Sequence, residues 1–245
     1  MKNNFIAFLI LSLFISSCKD TAKMPSTVME GNIMYGDVVE ICRPNNLKKG
    51  DIIIFNNYCE GANWIYRIIA ESGDRLLIQD DKVFVNDNPV EISNLKFKYY
   101  ATFSSHKPPP GLDTLEHTYS RLANMYFLYL TESQLKEVKK INTLEQIERV
   151  SYKHERILPG DSTWTIQDYG PIYIPEIGDT ISGLYSLLGR FDFSLYSLFK
   201  CGKLNTKILE EKVYFVLGDN RHNSVDSRFI GFIPESAISG KVCKD

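Results

Sequence analysis

The chain has 245 residues, 28 Lys and Arg against 30 Asp and Glu for a net charge of −2, and a hydrophobic fraction of 44%. That length holds one large domain, or a core carrying an insertion. A near-neutral charge with no run of Lys and Arg lacks the electrostatic footprint of a nucleic-acid binder, so no partner of that kind is expected.

Lys2 gives a positive start, residues 5–14 are almost wholly apolar, and Ile15-Ser16-Ser17-Cys18 follows before Lys19-Asp20 ends the run. A membrane-spanning helix needs roughly 20 apolar residues. This run is shorter and reads as a secretory signal over residues 1–18. The small residues before Cys18 resemble a bacterial lipobox. In that reading the signal is removed and Cys18 is lipidated. An ordinary signal peptide, or a short anchor that happens to contain a cysteine, is the alternative. Cys42, Cys59, Cys201 and Cys243 remain. An exported location permits disulfides, and four cysteines allow three pairings, among which the sequence does not choose. No cysteine pair has the short spacing of a zinc site. His106, His117, His154 and His222 are scattered, so most are expected at the surface, with no metal and no cofactor.

Runs rich in Ile and Val at 37–41, 51–55, 64–70, 76–78 and 83–85 predict strands. Lys49-Gly50-Asp51, Ser72-Gly73-Asp74 and Asn86-Asp87-Asn88 are the turns between them. Lys107-Pro108-Pro109-Pro110-Gly111 then breaks regular structure. Residues 120–130 and 132–150 read as helices. In the second, Leu135, Val138, Ile141, Leu144 and Ile147 recur at helical spacing, the pattern of a helix packed on a core. Strand-like segments return at 163–166 and 172–174, residues 191–199 are aromatic-rich and ambiguous, and 213–217 and 229–233 are again β-like. The expected architecture is therefore mainly β. Its core lies in two sequence pieces, 24–92 and 163–245, with a partly helical insertion, 93–162, between them.

Three separated blocks carry chemistry. The first is Gly218-Asp219-Asn220-Arg221-His222-Asn223-Ser224-Val225-Asp226-Ser227-Arg228, followed by Gly231-Phe232-Ile233-Pro234. Judged locally it could be an Asx-rich loop. Taken whole, it resembles the Gly-Asp-Asn-Arg-x-Asn-Ser-x-Asp-Ser-Arg box of the signal peptidase I family. The second block, Tyr66-Arg67-Ile68-Ile69-Ala70-Glu71-Ser72-Gly73-Asp74, resembles that family's Lys-Arg-Val-x-Gly-x-Pro-Gly-Asp segment, with Arg67, Gly73 and Asp74 matching. The third, from Pro25 to Asp37, matches the family's Ile-Pro-Ser-x-Ser-Met-x-Pro-Thr and the Gly-Asp after it at Pro25, Ser26, Met29, Gly36 and Asp37. The resemblance implies a signal-peptidase-type β core, preceded by an N-terminal signal or anchor.

In that family a serine hydroxyl attacks the peptide carbonyl and a neutral, buried lysine takes its proton. Here the nucleophile position is Val28 and the base position is Tyr66. Valine has no nucleophilic atom, and a phenol of ordinary pKa near 10 is a poor base. In the third block Gly31 also stands for a proline and Asn32 for a threonine. The resemblance gives the retained positions supporting roles. Ser26 matches the serine whose hydroxyl helps the oxyanion hole, Ser224 the residue that hydrogen-bonds the lysine, and Asp226 and Arg228 the pair that supports the active-site backbone.

The expected function is a membrane-tethered, non-catalytic homologue in the bacterial cell envelope, its domain outside the cytoplasm, binding an extended peptide or a secretion partner. The alternative is an active signal peptidase with a displaced dyad such as Ser26 and Lys23. That pair has i, i+3 spacing suited to a helix, although Pro25 disfavours helix at Met24. A decayed copy without activity is the third reading.

Overall fold

A computed structural model describes residues 20–57, 62–104, 109–121, 125–152, 163–180 and 208–243. The signal segment with Cys18, together with Cys59, Cys201, His106, His154 and the 191–199 run, lies outside these residues.

In chain order the strands are β1 (Asp20–Lys23), β2 (Val38–Cys42), β3 (Ile52–Asn57), β4 (Ala62–Glu71), β5 (Arg75–Gln79), β6 (Lys82–Val85), β7 (Asn88–Pro89), β8 (Phe97–Phe103), β9 (His117–Ser120), β10 (Met125–Leu130), β11 (Leu144–Arg149), β12 (Tyr169–Tyr173), β13 (Val213–Leu217), β14 (Ile233–Pro234) and β15 (Ile238–Val242). Two helices are described, α1 (Glu132–Val138) and α2 (Ser227–Ile230). The strands make a seven-stranded sheet in the order β1-β2-β15-β3-β4-β13-β14 and two four-stranded sheets, β12-β5-β6-β7 and β11-β8-β10-β9.

The first two sheets hold the core pieces. β13 is buried at every residue, and β4 buries Ile65, Tyr66, Ile68, Ile69 and Ala70 in near-continuous sequence. Such runs mark strands covered on both faces. One side packs Ile53, Phe55, Tyr66, Ile68, Tyr214 and Val216 together. The other packs Ile69, Phe215 and Leu217 against Leu76, Ile78, Val83 and Val85 of the smaller sheet. Tight turns join the strands of that sheet. Asp80, Asp81, Asn86 and Asp87 take φ of 50°, 66°, 52° and 62°, the left-handed geometry of primed hairpins that Asn and Asp tolerate.

The insertion differs from its sequence reading. Its one described α-helix is α1, closed by a capping box between Thr131 and Gln134. Residues 125–130, expected as helix, form β10 with burial alternating residue by residue. In Met-Tyr-Phe-Leu-Tyr-Leu the preference of aromatic side chains for a pleated, half-buried surface prevails. The 132–150 helix stops after two turns, the chain bends at Asn142-Thr143, and 144–149 continues as the edge strand β11. The apolar stripe is nonetheless real. Leu135, Ile141, Leu144 and Ile147, with buried Val138, all pack on the cluster of Ala101, Phe103, Leu128 and Leu130. Helix and strand lie on the same core, so the spacing survives the change of period.

Two further segments depart from strand. In 163–166 the Thr165 hydroxyl accepts from the N–H groups of Gln167 and Asp168, making a turn. In 229–233 the Asp226 side chain caps α2 before β14 begins.

Cys42 is disulfide-bonded to Cys243. The bond staples β2 to β15, whose backbone pairing covers only Cys42 with Lys241 and Ile41 with Val242. The bridge spans 201 residues, and a loop of that length corresponds to about 5 kcal/mol in the chain-entropy account. A Cys42→Ser/Cys243→Ser variant is expected to lose about 2–5 kcal/mol of stability in urea unfolding, with far-UV circular dichroism unchanged before the transition.

Candidate functional site

The segment joining β1 to β2 is a tight turn anchored from below. Met24, Met29 and Ile33 are buried against Ile54 and Ile65, and Ile33 N–H donates to Met29 O at 3.0 Å. Gly31 has φ +106°, and a Cβ there would lie 1.9 Å from Asn94 O. Only glycine allows this approach of two backbones, which accounts for the departure from proline. The turn presents Ser26 and Val28. Val28 packs half-buried against the apolar clusters beneath it, and its carbonyl accepts from Asn220 N–H at 3.0 Å.

Tyr66 lies within β4, paired with Ile53. Its ring is buried, 5.9 Å between centroids from both Phe55 and Trp64. Its hydroxyl donates to Val225 O at 2.8 Å. Ser224 closes the constellation. A Cβ on Gly218 would fall 2.3 Å from Ser224 Oγ and 2.7 Å from Val28 O, so the bare Gly218 lets both pack onto it. Ser224 Oγ is itself buried and has no hydrogen-bond partner among the described residues. The structure thus gathers Ser26, Val28, Tyr66 and Ser224 around one groove of about 630 Å³, lined also by Trp64 and Val225. None of its described lining residues is Asp, Glu, Lys or Arg.

Lys23 is not part of that lining. It ends the extended strand β1 as an exposed residue, its stem over Gly36. The helical spacing proposed for Lys23 and Ser26 does not form here.

Asp226 and Arg228 lie behind the groove and are fully buried. Arg228 Nε and Nη2 each reach an Asp226 oxygen at 2.8 Å, and its Nη groups also donate to Ile166 O and Arg221 O. Burial pushes this guanidinium down, and Asp226 more than restores it. Asp226 Oδ2 also accepts from Gly218 N–H at 3.1 Å. Ser227 Oγ accepts from Val216 N–H at the bulge between β13 and β4.

The three sequence blocks meet at Asp219. Arg67 Nε and Nη2 donate to its two oxygens at 2.8 and 2.5 Å, and Asn32 Nδ2 donates at 2.8 Å.

His222 is enclosed, unlike the surface placement expected for most of the histidines. Its ring lies 5.3 Å from Phe97 and 4.8 Å from Tyr152, edge-on to both. Nδ1 accepts from Lys98 N–H at 3.2 Å, which leaves the proton on Nε2 for Asp81 at 2.8 Å. Both nitrogens are occupied, so this His-Asp pair cannot serve a nucleophile. Nothing in the spacing signalled Asp81, Lys96 or Glu116, because their partners, His222 for the first, Glu30 for the second and Asn220 and Asn223 for the third, lie far away in sequence. Among the described residues no group of three or more His, Cys, Asp and Glu could hold a metal ion.

The family model described as signal peptidase, peptidase S26 matches residues 1–168 and 189–243. The chain belongs to the signal peptidase family. Signal peptidase I of Buchnera aphidicola subsp. Schizaphis graminum is 24% identical over 98% of this chain and 72% of its own length. That of Buchnera aphidicola subsp. Baizongia pistaciae is 27% identical over 81% of this chain and 54% of its own. That of Aquifex aeolicus is 59% identical over 34 residues, 14% of this chain. The crystal structure of a signal peptidase I from Enterococcus faecalis aligns at 17% identity and a TM-score of 0.34, covering 81% of this chain and 98% of that one.

The geometry of this signal peptidase homologue carries two tests. Tyr66→Phe leaves Val225 O without its donor and is expected to cost about 1 kcal/mol in urea unfolding. The second concerns pH. Burial is the main influence holding the His222 imidazole below its ordinary value, against the pull of Asp81. The unfolded chain therefore takes up a proton below about 6.5 that the folded chain refuses. Burial alone would raise Asp81, but its bond to His222 and the charges of His222 and Arg149 hold it below its ordinary value. Its contribution is lost at still lower pH, so both groups act in one direction. Melting temperature is expected to fall between pH 7.5 and 5, and His222→Gln to flatten that slope.

Proposed function

We propose that this chain is a non-catalytic signal peptidase homologue that binds an extended peptide segment of an exported protein. The observation that supports this reading is the state of the two positions that should perform proton transfer. Val28 packs on the apolar cluster that holds the Tyr66 ring, and the Tyr66 hydroxyl is committed to Val225 O. A serine peptidase needs a nucleophile and a base within hydrogen-bond reach of each other, and these residues offer neither. The groove suits an uncharged, extended segment, held by main-chain pairing and shallow side-chain pockets.

In this reading the tether is the N-terminal segment, through Cys18 or as a short anchor. No helix among the described residues is long and apolar enough to cross a membrane. The Cys42–Cys243 disulfide supports a place in an oxidising compartment such as the bacterial envelope.

The test incubates the full-length chain in detergent with a synthetic leader peptide carrying small residues at its cleavage position. Products are followed by mass spectrometry, and binding by fluorescence anisotropy. Binding without cleavage is the expected result, with Ser26→Ala indistinguishable from the wild type. Cleavage that Ser26→Ala abolishes would show that Ser26 has taken over the chemistry.

A further inference from the structure

We infer that Glu116, which belongs to the insertion, is a positioning residue for the groove. It fixes the separation between the 26–28 turn and the 222–225 loop. The inference rests on the peptide-binding reading above.

Glu116 is reached by two side-chain amides of the Gly218–Arg228 box. Asn220 Nδ2 donates to its Oε2 at 3.0 Å and Asn223 Nδ2 to its Oε1 at 2.7 Å. The same two nitrogens turn the other way to one residue of the opposite wall. Asn220 Nδ2 donates to Thr27 O at 3.2 Å and Asn223 Nδ2 to Thr27 Oγ1 at 3.1 Å. An amide nitrogen carries two hydrogens. Each Asn therefore spends one on the insertion and one on the turn that carries Ser26 and Val28. Thr27 and Asn223 both line the groove. The two walls are thus joined by amides whose orientation is set from outside the groove.

The site needs a carboxylate in particular. Both of its oxygens accept, whereas a glutamine offers one acceptor and must turn its own NH₂ toward the other Asn. Three ionisable groups face Glu116. Lys96 Nζ lies 2.6 Å from Glu30 and 3.6 Å from Glu116, and the Tyr129 phenol feels the Glu116 charge. Two carboxylates share one buried ammonium, and burial together with Glu30 holds the Glu116 carboxyl above its ordinary range. Holding the insertion in place does not depend on Glu116. Lys96 N–H donates to Asp219 O, and Arg221 N–H donates to Lys96 O, at 3.0 and 2.9 Å. Removing the Glu116 charge relieves its repulsion with Glu30 and leaves the Lys96–Glu30 pair intact, and this relief offsets the one Asn contact that is lost, so global stability is not expected to fall.

The test compares the wild type with Glu116→Gln, as full-length protein in detergent at pH 8, with a fluorescein-labelled leader peptide as probe. The variant is expected to bind about tenfold more weakly, with a melting temperature equal to or above that of the wild type. An unchanged Kd overturns the proposal, and so does a melting temperature that falls with affinity, because that is the behaviour of a merely structural residue. If the wild type binds no peptide, the functional reading fails and a second measurement decides. The side-chain amide resonances of Asn220 and Asn223 should move between pH 8 and 4 in the wild type and lose that movement in Glu116→Gln. Resonances in the wild type that ignore pH overturn the positioning role.

Discussion

A carboxylate with no access to water must be answered by donors that stay in place, or it will not stay ionised. Asp219 is such a group, and its answer comes from parts of the chain 152 and 187 residues away, through Arg67 and Asn32. The Arg67 guanidinium also donates to Gly50 O at 2.9 Å. The turn after β1, the centre of β4 and the loop after β13 are therefore fixed relative to one another by one polar junction in the seven-stranded sheet. The Asp226–Arg228 pair behind it holds the same loop from the other side. Apolar packing around β4 and β13 supplies the bulk of the cohesion, but it is indifferent to small slips. The charge-assisted bonds, with their narrow geometry, specify where Ser26, Val28, Tyr66 and Ser224 stand.

That distinction separates the polar frame from the two apolar positions beside it. Val28 and Tyr66 meet the apolar cluster below them, so their side chains add buried apolar contact. Beside them the buried Ser224 hydroxyl has no hydrogen-bond partner among the described residues. Asp219, Arg67, Asp226 and Arg228 are under a different constraint. Deleting one member of a buried ion pair strands the other, at about 3–5 kcal/mol.

Much of this was legible in the sequence, and the parts that were not share a cause. The strands of the two core pieces follow from Ile and Val runs cut by turn residues, because each strand's burial is settled by its neighbours in the sheet. Ser26, Val28, Tyr66 and Ser224 were picked out by their resemblance to the family's motifs, and the chain does bring them together. The insertion was misread where an apolar spacing fits two periods at once. Leu135 to Ile147 keep a helical interval across a helix, a bend and a strand, and only the shared cluster under them resolves which is which. His222 and Glu116 were beyond sequence reasoning for a further reason. A histidine is enclosed with its two ring nitrogens taken by Asp81 and Lys98, and a glutamate becomes a strut through two asparagines more than a hundred residues away. No local pattern encodes a partner that tertiary structure delivers.

The disulfide between Cys42 and Cys243 encloses all of the chain from β3 to β15 in one covalent ring. A protease that cuts an exposed loop inside the ring produces two segments but not two molecules. Both segments remain attached to the β1–β2 hairpin, and the hairpin continues directly into the N-terminal segment. A copy nicked once inside the ring would stay joined for as long as the disulfide is oxidised.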